Sequence, residues 1–141
     1  MNFHGGSDID EVIKTMEYAV YVHDVEHIIL DNMQFMISRN TTNNSSILDI
    51  QDMAVEKFRK FATEWNTHVT LVVHPRKEEE AIPLTISSIY GGVKVTQEAD
   101  TIIILQSDGK RKWIDVKKNR FDGTLGIFPL YFNINSCRYT D

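Results

Sequence analysis

At 141 residues the chain is long enough to form one compact domain. With 42% hydrophobic and 25% charged residues it has an ordinary globular composition, which excludes a disordered or collagen-like polymer. Its apolar runs, such as 69–73 and 102–105, fall far short of the roughly 20 residues a membrane helix needs. A net charge of −5 argues against binding nucleic acid with the whole surface, though not against binding through a few basic loops.

Residues 1–10 are polar and carry Asp8 and Asp10, unlike an Arg-rich, acid-poor organelle presequence. The expectation is therefore that the chain is not imported, or that its true start lies upstream of Met1. Behind Ser7 and Asp10, which match a capping box, Ile9, Val12, Ile13, Met16 and Val20 recur at helical spacing and predict a helix over 9–23. The run His27-Ile28-Ile29-Leu30 predicts a buried strand ending in Asp31. Residues 39–46 form a polar loop. Its three N-x-[ST] matches, beginning at Asn40, Asn43 and Asn44, are ordinary loop polars without a secretory signal.

Ser46 and Asp49 give a second capping-box match. The helix behind it has a face of Ile50, Met53, Ala54, Phe61, Ala62 and Trp65, with Phe58 at its margin and Glu56, Lys57, Arg59 and Lys60 opposite. Residues 68–73 are β-branched and apolar, a second buried strand ending at His74. A charged loop, 75–83, precedes a short helix expected over 86–99. Residues 101–106 are a third apolar strand, followed by the turn Ser107-Asp108-Gly109-Lys110. An alternating strand over 112–118, a turn at Asp122-Gly123 and a strand over 127–132 complete the series. Strands alternating with helices predict an α/β fold with a mostly parallel sheet, and the last strands predict an antiparallel edge. Cys137 is the single cysteine, so no internal disulfide can form and a reducing compartment fits.

In open α/β sheets ligands sit at the carboxyl ends of the strands, where Asp31 and His74 fall. Asp31 there suits a carboxylate holding a hard cation through water, and equally a strand-end Asp capping a turn. A lone His74 is compatible with a structural role, and Gln97 with a simple helix-end polar. Lys118 and Arg120, one residue apart, are spaced to grip a phosphate or to guard a solvated edge strand.

Five stretches recur together: 19–22 with 27–36, 58–63, His-Val-Thr-Leu-Val-Val-His-Pro-Arg-Lys at 68–77, Gln-Glu-Ala-Asp at 97–100, and Lys-Asn-Arg-Phe-Asp-Gly at 118–123. They resemble the Twinkle family of mitochondrial replicative DNA helicases, relatives of the bacteriophage primase-helicases, from Phe3 to about Asn135. The resemblance implies a RecA-like three-layer core, truncated at its N-terminal side, with residues 1–141 as the C-terminal part of the motor domain. It implies an ATP-driven (or other NTP-driven) enzyme that unwinds mitochondrial DNA 5′ to 3′ as a hexameric or heptameric ring on single-stranded DNA, in the nucleoid of the matrix.

By the same resemblance Asp31 is the Walker B residue acting on Mg²⁺ through water, and His74 is the γ-phosphate sensor with Gln97 as its companion. Arg120 is the arginine finger reaching a neighbouring subunit, with Lys118 beside it. The channel loops correspond to 38–46, 74–83 and 107–112, where Arg76, Lys77, Lys110, Arg111 and Lys112 are available to DNA phosphates and Glu78-Glu79-Glu80 offsets part of their attraction.

Two elements of that pattern are missing. No G-x-x-x-x-G-K-[ST] phosphate loop follows either Gly5-Gly6 or Gly91-Gly92, and the family's catalytic glutamate aligns upstream of Met1. The chain alone is therefore expected to be inactive and to leave a strand edge open to pairing. The alternative to a helicase fragment is a non-catalytic RecA-like module that binds single-stranded DNA or a helicase partner.

Overall fold

The computed structural model describes residues 8–34, 47–75, 82–89, 92–109 and 111–140. The expected Ser7 and Ser46 caps, the 39–46 loop and most of the 75–83 loop lie outside these residues. Two compact units are present, one of residues 1–74 with 90–98 and one of 75–89 with 99–141.

The first unit opens with helix α1, Ile9–His23, the span that its apolar spacing predicts. Its cap is Asp8, whose carboxylate accepts from the Asp10 amide at 2.7 Å and satisfies one of the donors a helix N-terminus leaves unpaired. The helix stops where Asp24 turns left-handed (φ 50°) and its amide returns to Val20. Strand β1, His27–Asp31, pairs in parallel with β2, His68–Val72, in the register His27 to His68 through Asp31 to Val72. The His68 amide donating to Glu26 O at 2.9 Å sets that register.

Helix α2, Ile47–Glu64, joins the two strands. It contains no Gly or Pro, and it ends at Asn66, which takes the left-handed conformation (φ 48°). The Thr67 amide there returns to Ala62 O at 3.1 Å. Helix α2 packs on α1, on β2 and on a short helix α3, Gly92–Glu98. The core of this unit is Ile9, Val12 and Met16 from α1 with Ile50, Ala54, Val55, Phe58 and Phe61 from α2, together with Met33 and Val95.

Two expectations are corrected here. The buried face of α2 is rotated toward Gln51, Val55 and Phe58, so Phe58 is central and Met53 is 45% exposed. Polar Gln51, wholly buried, interrupts the stripe in the sequence and hides its true centre. The region 86–99 is not one helix: it holds a 3₁₀ turn, Ile86–Ser88, capped by Thr85, and then α3. Two consecutive glycines at 91 and 92 in the sequence disfavour a continuous helix.

The second unit is a four-stranded antiparallel sheet in the order β3 (Thr101–Ser107), β4 (Lys112–Asn119), β5 (Gly126–Asn133), β6 (Arg138–Thr140). The antiparallel part thus begins one strand earlier than the last pair and gains β6, which lies in a polar stretch with no strand signal. A bulge at Lys117 separates the pair Ile102–Lys118 from Ile103–Val116. Strand β3 alternates strictly: Ile102, Ile104 and Gln106 are buried, and Ile103 and Leu105 are 60% and 53% exposed.

Strands β1 and β3 were expected to be buried throughout. Both are half-covered instead, and Ile29 in β1 is 66% exposed. Among the described residues nothing covers the second face of either strand.

These faces generate two predictions. Replacing Phe58 by Ala is expected to cost about 3–5 kcal/mol in denaturant unfolding, and replacing Met53 by Ala about 0.5 kcal/mol or less; equal costs would return Met53 to the core. Sedimentation of the chain should show concentration-dependent association through the exposed strands, reduced by Ile103→Lys. A single monomeric species over a hundredfold concentration range would contradict it.

Candidate functional site

Asp31 ends β1 and is exposed, and the Asp31–Asn32 peptide is cis. Among the described residues no side chain is bonded to its carboxylate. Met33, two residues on, is wholly buried and anchors the chain as it leaves the strand. The residues on either side of Met33 reach across to β2. Asn32 Nδ2 lies 2.8 Å from His74 Nε2. The Gln34 side-chain amide donates to His74 O at 2.8 Å and accepts from the His74 amide at 3.3 Å. A primary amide carries the same donor and acceptor as a peptide group, so Gln34 extends the parallel pairing past Val72. The two expected strand-end residues are thereby brought to one end of one parallel pair, with His74 held at both backbone and ring.

Gln97 lies on the exposed side of α3, one residue before its end. That helix is fixed to α2 by Lys94 donating to Glu56 at 2.8 Å. Mutual hydrogen bonding holds the Glu56 carboxyl below its ordinary range and the Lys94 ammonium above its own.

In the second unit, Lys118 occupies β4 next to the bulge and pairs in register with Ile102. Arg120 lies beyond the strand, in the turn, so the two cations are not on one strand face as their spacing predicted. The Arg120 amide donates to Asp100 O at 2.9 Å, and its guanidinium lies 3.3 Å from the Asp100 carboxylate. The turn itself is closely bonded. Asn119 Oδ1 accepts from the Phe121 amide, and Asn119 Nδ2 donates to the Asp122 carboxylate at 2.7 Å. The Thr124 amide donates to the same carboxylate at 2.8 Å. Gly123, at φ 76°, supplies the left-handed residue the turn requires. This scaffold displays Arg120 with Phe121, whose side chain is 80% exposed.

Of the expected DNA-facing cations, Arg76, Lys77 and Lys110 lie outside the described residues. Arg111 is bound by Asp108 through both Nη2 (2.9 Å) and Nε (3.0 Å), which closes the β3–β4 turn. Lys112 stands 5.4 Å from the centre of the Phe132 ring and 5.9 Å from that of Tyr139.

Asn32, Gln34, Asp100 and Asp108 were not singled out in the sequence. For Asn32 and Gln34 a signal existed: two amides straddle a methionine directly after the strand-end aspartate. For Asp100 and Asp108, polar residues at strand ends, there was none.

With this geometry in view, solved structures provide a frame. One similar structure is an ATPase domain, with a TM-score of 0.79 and 16% identity over 96% of this chain and 52% of that one. Another is a DnaB-like replicative helicase described with its interactions with primase, with a TM-score of 0.72 and 16% identity over 92% of this chain and 33% of that one. The fold is the α/β fold of helicase ATPase domains, and the chain spans about half of the first structure and a third of the second. A family model described as an AAA domain matches residues 1–80, more than half of the 141 residues, and the chain belongs to that family.

The turn that displays Arg120 carries a pH prediction. Hydrogen bonds from the Thr124 amide and then its hydroxyl hold the Asp122 carboxyl below its ordinary range. A lowered folded-state pKa contributes order that is complete above the unfolded value of about 3.9 and is lost as pH falls through the lower folded value. The Thr124 amide resonance should therefore stay unchanged down to about pH 4 and move only below it. In Asp122→Ala it should already be displaced at neutral pH, and a Thr124 amide insensitive to both would show that the carboxylate does not order the turn.

Proposed function

We propose that the chain is part of an ATP-dependent replicative DNA helicase of the Twinkle type, acting as a hexameric or heptameric ring that moves 5′ to 3′ on single-stranded DNA in the mitochondrial matrix. The observation that carries this reading is the placing of Asp31 and His74 at the carboxyl ends of two adjacent parallel strands, with Asn32 bonded to His74, within a chain of the AAA domain family. An exposed carboxylate at a strand end suits a magnesium ion held through water, since it offers hard oxygen donors and has no bonded side chain among the described residues. Bound Mg²⁺·ATP would supply the phosphoryl group and charge neutralisation. The chain's own residues would bind and sense it: Asp31 orients the ion's water shell, His74 touches the terminal phosphate, and Gln97 assists.

Arg120 acts in trans. Its guanidinium is the finger that stabilises charge on the phosphoryl group bound by a neighbouring subunit, with Lys118 beside it and the bonded Asn119–Thr124 turn as its mount. Arg76, Lys77, Lys110, Arg111 and Lys112 contact the phosphates of the strand in the channel. No phosphate-cradling G-x-x-x-x-G-K-[ST] loop lies within the 141 residues, so this chain alone is inactive and the rest of the motor comes from further polypeptide. That same absence favours the second reading, a non-catalytic RecA-like module that binds single-stranded DNA or a helicase partner.

The mass of the endogenous protein, detected with an antibody against residues 40–46, separates the two. A product several times heavier than 16.3 kDa with DNA-stimulated ATPase supports the motor. In that product Arg120→Ala should lower hydrolysis by about 10³-fold or more while leaving nucleotide binding intact. A product near 16.3 kDa without ATPase would leave only the binding module.

A further inference from the structure

The residue expected to sense phosphate is not free to choose which ring nitrogen carries its proton. His74 Nε2 lies 2.8 Å from Asn32 Nδ2, and an amide nitrogen can only donate. Nε2 must therefore be the acceptor, and the proton of the neutral imidazole sits on Nδ1. Two further features make this a fixed arrangement. Met33, wholly buried, prevents the segment that carries Asn32 from withdrawing. Gln34 holds the His74 backbone through its own donor and acceptor, so the ring has only its side-chain torsions to move.

We propose that Asn32 is a positioning residue that locks His74 as the Nδ1–H tautomer, and that Nδ1–H is the single ring proton it presents to a phosphate. The hydrogen bond on one imidazole nitrogen decides the chemistry of the other. A phosphate oxygen only accepts, so a histidine that senses it must offer a proton. With Nε2 engaged by a donor, that proton can come only from Nδ1. Asn32 immediately follows Asp31, so the same short segment that carries the proposed ion-binding carboxylate also sets which face of the sensor is active. Gln34 is the second positioning residue, fixing the backbone from which the ring projects. The tautomer stands on the geometry alone, whereas its use toward phosphate rests on the motor reading.

The experiment begins with the unaltered 141-residue chain, labelled with ¹⁵N at histidine, with His74 assigned by its loss in His74→Gln. A long-range ¹H–¹⁵N spectrum near neutral pH should show Nδ1 protonated and Nε2 bare. In Asn32→Asp the carboxylate can only accept, so the proton should move to Nε2; in Asn32→Ala the two tautomers should mix. Nε2–H in the unaltered chain, or an Asn32→Asp spectrum unchanged from it, overturns the proposal, and the first of these needs no variant to fold.

The functional arm uses the longer product that hydrolyses ATP. There Asn32→Ala should lower kcat about tenfold or more with KM within about twofold, the size of effect seen when a partner that orients a histidine is lost. Normal kcat in that variant overturns the positioning role. Absence of nucleotide binding in the longer product instead sinks the motor reading and leaves the tautomer result standing.

Discussion

The parallel pairing of β1 with β2 is the constraint on which the rest of the first unit depends. Parallel strands cannot be joined by a tight turn, so the chain must cross over the sheet, and α2 is that crossover. The crossover brings the carboxyl ends of both strands to the same side, which is why Asp31 and His74, far apart in sequence, fall at one end of the pair and Asn32 reaches His74. The register is set at one end by the His68 amide on Glu26 O and continued at the other by Gln34 on His74. A slip of one residue would invert every side chain along the strand and separate the pair.

The two units use one device in common. In the first, the Gln34 amide pairs with both backbone groups of His74. In the second, the buried Gln106 amide accepts from Leu84 N at 2.9 Å and donates to Leu84 O at 2.6 Å. Each glutamine stands in for a neighbouring strand beside a backbone donor and acceptor, and at the part-buried Leu84 leaving that pair unmet would be costly. Gln51 is the contrast: its amide is buried in α2, and among the described residues neither of its polar atoms has a partner.

Most of the fold was legible because apolar spacing reports directly on helices and strands. Helix α1 coincides with its predicted span, and β1 through β5 lie within a few residues of theirs. What periodicity could not convey was how many faces of a strand are covered. The run Ile102–Ile103–Ile104–Leu105 is apolar at every position, yet the structure buries only alternate residues. The position of Asp31 and His74 at the carboxyl ends of β1 and β2 was legible, since the apolar runs before them mark where the strands stop. Its supporting polar residues were not, because Asn32, Gln34 and Asp100 act through contacts made only in three dimensions. The spacing of Lys118 and Arg120 misled for a related reason: a strand face is defined only while the strand lasts, and Arg120 is already in the turn.

Charge is the last constraint, and it bears on how such a chain could hold an anionic strand. Five of the described cations are engaged close to home: Arg111 by Asp108, Lys117 by Asp115 at 2.7 Å, Lys57 by Asp10, Lys94 by Glu56 and Arg120 by Asp100. Each of these pairs is nearly neutral beyond the Debye length of about 8 Å at physiological salt, so none projects a long-range attractive field. An acidic chain built this way gains no nonspecific affinity from its surface as a whole. For these five cations, a grip on a phosphate requires displacing a carboxylate already held in place. For Arg120 the competitor is Asp100, whose carboxylate lies 3.3 Å from the guanidinium, so any anion that takes its place must outweigh that pairing.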